Sequence, residues 1–159
     1  MSTIRVVWGS AAGPTKMAAY DGALADAGIE NYNLVTVSSV IPATARVEAV
    51  GTAPDLGPVG NRLTVVQGHA TAADNEPASA ALAWAESDGG EGPGLFYETT
   101  GTDPDSVRER ALDGLEAGQA LRNWAFDEPS VQVETTEEES GAYQAAVVVA
   151  AYGTSEPIC

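Results

Sequence analysis

One stretch of the chain decides the prediction of its fold: Asn31-Tyr32-Asn33-Leu34-Val35-Thr36-Val37-Ser38-Ser39-Val40-Ile41-Pro42. Residues 32–40 alternate in polarity and are rich in β-branched side chains, which predicts a strand. Pro42 ends that strand, because proline cannot donate a backbone hydrogen bond to a neighbouring strand. Two adjacent hydroxyls, those of Ser38 and Ser39, therefore lie at the end of a strand and just before a turn. Taken alone, such a pair is typical of serines that satisfy nearby backbone groups.

A second informative segment lies upstream and reads Tyr20-Asp21-Gly22-Ala23-Leu24-Ala25-Asp26-Ala27-Gly28-Ile29. Together the two segments contain Asp-Gly-Ala-Leu, Ala-Gly-Ile, Asn-x-Asn-Leu-Val and Val-Ser-Ser-Val-x-Pro, and in this pattern the chain resembles the pyruvoyl-dependent arginine decarboxylases. The resemblance is dense over residues 19–42 and returns at Gly94-Leu95-Phe96-Tyr97-Glu98. It is specific, because several small and polar positions match in register.

The resemblance implies that the chain cuts itself between Ser38 and Ser39. The Ser39 hydroxyl attacks the preceding carbonyl to give an ester, β-elimination cuts the chain, and hydrolysis leaves a pyruvoyl group at the new N-terminus. The single domain of residues 1–159 is thereby divided into a small chain, 1–38, and a pyruvoyl-bearing chain, 39–159. The implied fold is a four-layer α-β-β-α sandwich, assembled as a homotrimer of cleaved protomers with active sites between neighbouring subunits.

Three further site residues follow from the resemblance. Asp21 matches the aspartate that binds the guanidinium of the substrate, and a carboxylate suits that task because it accepts two parallel N–H bonds. Glu98 matches the glutamate that supplies a proton after decarboxylation, a role that requires an acid kept protonated, as in an apolar pocket. Asn33 matches a residue that assists processing. Without the resemblance, these side chains are typical of a solvated helix face, a strand end reaching water and a strand edge.

The cofactor can also be argued from chemical need. Loss of CO₂ from an amino acid leaves a carbanion, so a carbonyl must first form a Schiff base with the amine and accept its electrons. Pyridoxal phosphate would need a lysine, and the only lysine, Lys16, has no recognisable phosphate site near it. A carbonyl made from Ser39 avoids this need. The only histidine is His69, typical of a structural residue, and no metal site of several histidines or cysteines can be built.

The charge of the chain is strongly one-sided, with 23 acidic residues against 7 basic ones and a formal net charge of −16. The acidic residues are spread along the chain, with one short run at residues 137–139. This composition predicts a protein from a salt-rich cytoplasm, where screening removes the self-repulsion. Together with the resemblance, it implies a halophilic archaeon as the source. It disfavours nucleic acids and acidic membranes as partners.

The length and hydropathy of the chain predict one cytoplasmic domain. The 159 residues suffice for one core but not for two. No apolar run approaches the roughly 20 residues that span a bilayer, and residues 1–5 lack the pattern of a signal segment. Cys159, the only cysteine, excludes an intrachain disulfide.

The remaining pattern predicts helices and strands that interleave without strict alternation, which indicates a layered α/β sandwich. We expect strands at 4–8, 43–50, 62–67, 94–99, 131–135 and 142–152, the last two forming a hairpin and the last one central, because it is apolar on both faces. We expect helices at 15–27, ending at Gly28; at 77–87, which is rich in alanine; and at 104–124, with Asp103 as N-cap. The buried stripe of the last helix is predicted as Val107, Ala111, Leu115 and Leu121. Residues 9–14 and 51–60 are expected to be loops.

Three functions remain open at this point. The first, implied by the resemblance, is a self-processing decarboxylase that converts L-arginine to agmatine and CO₂ for polyamine or tRNA-modification pathways. The second is the same chemistry on another cationic amino acid such as lysine. The third is an uncleaved binding protein without chemistry. The intact Ser38-Ser39 pair together with Glu98 argues against the third, because an abandoned site would be free to lose these residues.

Overall fold

The computed structural model describes residues 2–73, 76–137 and 142–159. The described chain is α/β, as predicted, and contains two α-helices, nine strands and a short 3₁₀ turn at Asp88–Gly90. In chain order the elements are β1 (Ser2–Gly13), α1 (Lys16–Asp26), β2 (Asn33–Thr36), β3 (Val40–Ile41), β4 (Ala45–Gly51), β5 (Arg62–Ala72), β6 (Ser79–Ala85), β7 (Gly94–Gly101), α2 (Pro104–Ala120), β8 (Ser130–Thr135) and β9 (Tyr143–Tyr152).

The strands form two sheets. The five-stranded sheet has the order β2-β5-β9-β1-β4, and the four-stranded sheet has the order β3-β7-β6-β8. Strand β9 lies in the middle of the larger sheet and pairs antiparallel with both β1 and β5. Its residues from Gln144 to Ala151 are buried, which confirms the prediction that this doubly apolar strand is central.

The core consists of three apolar clusters, and successive side chains along a strand belong to different clusters. On β9, Val148 and its even-numbered neighbours pack between the two sheets, whereas Val147 and its odd-numbered neighbours pack against α1. On β6, Leu82 faces the space between the sheets and Ala83 faces α2. Since successive residues of a strand point to opposite faces, the sheets contact each other on one face and each carries a helix on its other face. This packing is compatible with a sandwich.

The predicted alanine-rich helix at 77–87 is wrong, because this segment contains strand β6. Alanine favours a helix locally, but β6 pairs with β7 on one side and β8 on the other. All seven of its residues are buried. Small side chains let both faces of the strand be covered closely, and pairing across the sheet overrides the local propensity.

The predicted loop at 9–14 is also wrong over most of its length, because β1 continues to Gly13 and pairs with β9 as far as Tyr143. The small residues serve close packing instead. A side chain at Gly9 would meet the backbone of Ala23 in α1. Strand β5 likewise runs on to Ala72, beyond the predicted end at residue 67.

The predicted hairpin of the last two strands is wrong, because β8 and β9 belong to different sheets. β8 pairs with β6 at one edge of the smaller sheet. The predicted turn falls largely on residues 138–141, which lie outside the described residues. Strands β8 and β9, although consecutive in the sequence, therefore lie in different layers of the fold.

Three of the four helix ends lie where the sequence predicts them. Thr15 caps α1, accepting a hydrogen bond from Ala18 N–H, and Gly28, with φ of 81°, follows its C-terminal end. Asp103 caps α2 through Ser106 N–H, as predicted. However, α2 ends at Ala120, so Leu121, predicted to be buried, is 83% exposed. The rest of the predicted stripe, Val107, Ala111 and Leu115, is buried.

The connection between β4 and β5 has neither helix nor strand, as predicted for most of residues 51–60. It begins with Gly51 at the end of β4 and reaches Arg62 at the start of β5. Neither helix in the described parts of the chain has the length and apolar composition needed to cross a bilayer.

Candidate active site

The serine pair lies where the chain crosses from one sheet to the other. Strand β2 ends at Thr36 and pairs in parallel with β5 of the larger sheet, whereas β3 begins at Val40 and pairs with β7 of the smaller sheet. The prediction of one continuous strand over residues 32–40 is therefore wrong, because the chain changes sheets within it. Ser38 is exposed and Ser39 partly exposed in this crossing.

Three successive carbonyl groups of the crossing are held by hydrogen bonds. Val40 N–H donates to the carbonyl of Ser38 at 3.0 Å, and Phe96 N–H donates to that of Ser39 at 2.8 Å. The hydroxyl of Tyr152, at the end of β9, donates to the carbonyl of Val40 at 2.9 Å. The first bond is chemically significant, because a donor on the Ser38 oxygen stabilises the negative charge that attack on this carbonyl would create.

Glu98 lies beside Ser39. The register of β3 on β7 pairs Val40 with Leu95 and so carries Ser39 towards the middle of β7. There the Ser39 hydroxyl Oγ donates to Glu98 Oε2 at 3.5 Å. Two of the residues predicted for the site are thus brought together. Glu98 is exposed, so the apolar pocket expected around this carboxyl is not formed by the described residues of a single protomer.

Asp21 and Asn33 lie together in another place. Both line an open cavity of about 660 Å³ beside α1 and β2. Asn33 Nδ2 donates to the carbonyl of Gly60 at 2.8 Å, and this anchors the amide at the start of β2. Because β2 is extended, its run from Asn33 to Thr36 alone covers about 10 Å. Ser39 lines a different cavity from the one that Asp21 and Asn33 share, so one protomer does not bring the three residues to a common cavity.

The wall of this open cavity is organised by a chain of hydrogen bonds. Tyr20 Oη donates to Gln67 Oε1 at 2.8 Å, and Gln67 Nε2 donates to Thr36 Oγ1 at 3.4 Å. The ring of His69 stacks on that of Tyr20 with their centroids 4.2 Å apart. Asp21 follows Tyr20 on α1 and is exposed. The cavity thus offers two exposed carboxylates, Asp21 and Glu30, next to a polar and aromatic wall.

Burial changes the titration of three side chains in these regions. It raises the pKa of Tyr152 to about 12, so this phenol keeps its proton and remains a donor at neutral pH. It also raises the pKa of Tyr20, partly opposed by the hydrogen bond to Gln67. Burial lowers the pKa of His69, which favours a neutral imidazole at pH 7.

Sequence reasoning missed the groups that hold the crossing. Neither the backbone N–H of Val40 nor the hydroxyl of Tyr152 was among the groups predicted for the site. The Val40 donor follows from the bend at Ser39. Tyr152 is 112 positions away from Val40, and its only signal in the sequence is a tyrosine at the end of a central strand.

Ser39 is a side chain that could be converted into a carbonyl, and it lies beside an acid, Glu98. No three histidine, cysteine, aspartate or glutamate side chains in residues 2–73, 76–137 and 142–159 come together as metal ligands do. The arrangement supports acyl transfer from the amide of residue 39 to its own hydroxyl, followed by proton transfer at Glu98.

Comparison with known proteins extends the likeness to nearly the whole chain. A family model described as "Pyruvoyl-dependent arginine decarboxylase (PvlArgDC)" matches residues 3–157. The curated pyruvoyl-dependent arginine decarboxylase of Halobacterium salinarum is 55% identical over 159 residues, covering 99% of this chain and 98% of the relative. That of Thermococcus sibiricus is 39% identical over 149 residues, covering 90% and 91%. That of Methanocaldococcus jannaschii is 34% identical over 155 residues, covering 93% and 89%.

Proposed function

Because this chain belongs to the pyruvoyl-dependent arginine decarboxylase family, we propose that it converts L-arginine to agmatine and CO₂ with a pyruvoyl group made from its own Ser39. The observation that carries the proposal is the Ser38-Ser39 pair in the crossing between the sheets, with Glu98 beside Ser39. The agmatine would feed polyamine synthesis or tRNA modification.

The crossing is suited to the self-cleavage that makes this group. Ser39 Oγ attacks the carbonyl carbon of Ser38, and the bond from this carbon to the nitrogen of residue 39 breaks, which leaves an ester. Val40 N–H supports the charge on the Ser38 oxygen during the attack. Tyr152 and Phe96 hold the next two carbonyls and so restrict the approach of Ser39 to its neighbour. Elimination then divides the chain into 1–38 and 39–159.

The pyruvoyl group supplies a carbonyl that condenses with the substrate amine and accepts the electrons left by CO₂. Glu98 protonates the product carbon, a role supported by its position beside residue 39. Its contact with Ser39 Oγ, at 3.5 Å, is long for a hydrogen bond between oxygens.

Asp21 binds the guanidinium of arginine, with its carboxylate accepting two N–H bonds. The open cavity around it, about 660 Å³, has room for the substrate side chain. The hydrogen bonds from Tyr20 through Gln67 to Thr36 keep the adjacent wall in one arrangement. Fixed partners of this kind reduce the entropy that is lost on binding.

We further propose a homotrimer of cleaved four-layer α-β-β-α protomers, in which Asp21 and Asn33 of one subunit meet Ser39 of its neighbour. The support is the separation of these groups within one protomer, together with exposed apolar side chains on both sides of the serine pair. These side chains are Val35, Val37, Val40 and Tyr97. Apolar surface around a polar site is typical of an interface. The neighbouring subunit would cover Glu98, and Asn33 would assist cleavage across the interface.

Cleavage would leave the small chain firmly attached. Residues 1–38 contribute β1, α1 and β2. Strand β1 pairs with β9 on one side and β4 on the other, and α1 packs on the same sheet. The two chains would therefore stay together without a covalent link, because the contacts between them are those of a core.

The substrate is tested by measuring CO₂ release from arginine, lysine and ornithine by the purified protein. The proposal expects arginine to be the preferred substrate, because only its planar fork forms two parallel bonds with Asp21. Higher activity on lysine than on arginine would overturn the substrate assignment while leaving the chemistry in place.

The shared site is tested by co-expressing an Asp21→Ala chain with a Ser39→Ala chain. Each variant alone should be inactive. In mixed trimers, about one quarter of the sites would combine an intact Asp21 from one subunit with an intact Ser39 from its neighbour, so activity should return. Mixed trimers that remain inactive would show that both residues must come from the same chain.

A further inference from the structure

A second, smaller cavity lies on the other side of the serine pair. It has a volume of about 220 Å³ and lies between α2 and the strand pair of β3 and β7, with both Ser38 and Ser39 in its wall. Leu95 and Leu115 belong to the cluster packed around α2, so this cavity is on the helix side of the smaller sheet. Glu98 is on the opposite side, with its Cβ close to Gly68 of β5. The cavity therefore reaches the serine pair from the side opposite Glu98.

Arg122 is the cationic side chain of this cavity. Its Nη1 donates to the carbonyl of Gly118 at 2.7 Å, and its guanidinium lies over the ring of Trp124, 5.3 Å from the centroid. Within the described parts of the chain, the ion pairs are those of Arg46 and Arg62, and Arg122 contacts no carboxylate. Other arginines of the described residues also have no carboxylate partner, but Arg122 is partly buried and lies in the wall of the same cavity as the serine pair. An anion that forms in this cavity would therefore meet a cation already in place.

Self-cleavage would create such an anion in the same cavity. In the ester intermediate, the acyl group of Ser38 is attached to Oγ of residue 39. Elimination removes the Cα proton of residue 39 and breaks its Cβ–Oγ bond, and the electron pair of that bond stays on the oxygen. The products are dehydroalanine at residue 39, which water converts to the ketone with loss of ammonia, and a carboxylate at the new C-terminus, Ser38.

We propose that Arg122 binds the C-terminal carboxylate of Ser38 after cleavage, and so forms a carboxylate site that is filled by the cut chain itself. This proposal rests on the proposed self-cleavage. A guanidinium matches a carboxylate through two parallel N–H bonds. The contact with Trp124 uses the face of the Arg122 guanidinium, and only Nη1 donates to the described residues, so the other N–H groups can donate to the carboxylate. The apolar walls from Leu95 and Leu115 limit screening of this interaction by solvent and salt.

Binding at Arg122 would also keep the cut end at Ser38 out of the path of the substrate. Before cleavage, Ser38 is covalently joined to residue 39, and its carbonyl oxygen accepts from Val40 N–H. After cleavage, the new charge is added to a chain of net charge −16, which repels it from most of the surface. Arg122 would hold Ser38 on the helix side of the sheet, away from Glu98. The substrate would then reach residue 39 from the opposite side without meeting the cut end.

The test is a double-mutant cycle in thermal stability. Arg122→Gln is placed in the wild-type chain, which is cut, and in Ser39→Ala, which stays whole, and the Tm of all four proteins is measured in one high-salt buffer. Loss of the stacking on Trp124 affects both backgrounds and cancels. The carboxylate exists only in the cut chain, where we expect an additional loss of about 2–4 °C. Arg108→Gln, on an exposed position of α2, is the matched control and should change both backgrounds equally.

Arg122→Lys provides a second variant, which keeps the charge but loses the planar fork and should lower the Tm of the cut chain less than Arg122→Gln does. Equal losses of Tm in the cut and whole backgrounds would overturn the carboxylate site and leave the proposed function standing. An Arg122→Gln chain that fails to cleave would overturn it as well, because the site is assigned a role only after cleavage. A wild-type chain whose mass shows no cut would instead overturn the self-cleavage and the carboxylate site together.

Discussion

Ser39 Oγ and Glu98 Oε2 lie 3.5 Å apart, although the two residues are 59 positions apart in the sequence. This proximity is produced by the pairing of β3 with β7, which aligns Val40 with Leu95. The short strand after the serine pair therefore determines which acid meets residue 39. A shift of this register by one residue would turn Ser39 to the other face of the sheet.

Replacing Glu98 by Gln should leave cleavage intact and lower arginine decarboxylation by about 10²-fold or more, as expected for the loss of a general acid. Cleavage should remain because the groups assigned to it, the Ser39 hydroxyl and the Val40 N–H donor, are unchanged in this variant. Intact mass reports cleavage and CO₂ release reports turnover. Glu109→Gln, on an exposed position of α2, serves as the control and should behave as the wild type. A Glu98→Gln protein with normal turnover would remove the proposed acid role.

Replacing Tyr152 by Phe should slow self-cleavage several-fold without changing the fold. The ring remains to pack against Phe96, but the hydrogen bond to the Val40 carbonyl is lost, which costs about 1 kcal/mol. The measurement is the fraction of cut chain over time after synthesis. Tyr143→Phe, at the exposed start of β9, is the control. Equal cleavage rates in the two variants would mean that Tyr152 does not position the crossing.

The thermal stability of the protein should rise with salt. The net charge of −16 makes the folded chain repel itself, and in about 1 M salt the screening length falls to about 3 Å. Calorimetry in dilute buffer and in molar potassium chloride measures the change in Tm, with a sugar of equal osmolality as the uncharged control. A Tm that does not differ between the two buffers would contradict the halophilic interpretation of the composition.

His69 should make the folded chain less stable as the pH falls below about 6.5. Burial lowers the pKa of this imidazole in the folded chain, below the unfolded value of about 6.5. Above pH 6.5 the ring is neutral in both states and its contribution is complete. As the pH falls from 6.5 towards the folded pKa, the unfolded chain takes up the proton more readily, so stability is lost.

The imidazole C–H signals of the one histidine report the pKa of His69 directly in proton NMR, and urea unfolding at pH 7 and pH 5 reports its effect on stability. His69→Gln should reduce the difference in unfolding free energy between the two pH values. A His69 pKa above 6.5 would show that the negative net charge outweighs burial at this position.

Much of the fold could be predicted from the sequence wherever the hydrophobic periodicity and the helix-capping residues indicate the same element. The doubly apolar β9, the strand that carries Glu98 and the starts of both helices were predicted because local pattern and tertiary role coincide. β6 was missed because its alanines favour a helix in isolation, whereas its conformation is set by two neighbouring strands. The small residues near Gly9 suggested a loop, but they allow the close approach of α1.

Some features of the candidate site could likewise be predicted from the sequence, and others could not. The closeness of Ser39 and Glu98 agrees with the resemblance on which both were chosen. The donors from Val40 and Tyr152 were not accessible, because they arise from the change of sheet and from a strand distant in sequence. The relation of Asp21 to Ser39 was equally inaccessible, since one protomer places the two in separate cavities.

The most direct test of the account is the intact mass of the purified protein in high salt, with Ser39→Ala measured alongside it. The account predicts two fragments separated between Ser38 and Ser39, the larger one blocked at its N-terminus by the pyruvoyl group, and a Ser39→Ala chain that stays whole. A wild-type chain that remains a single uncut species after long incubation would contradict the account.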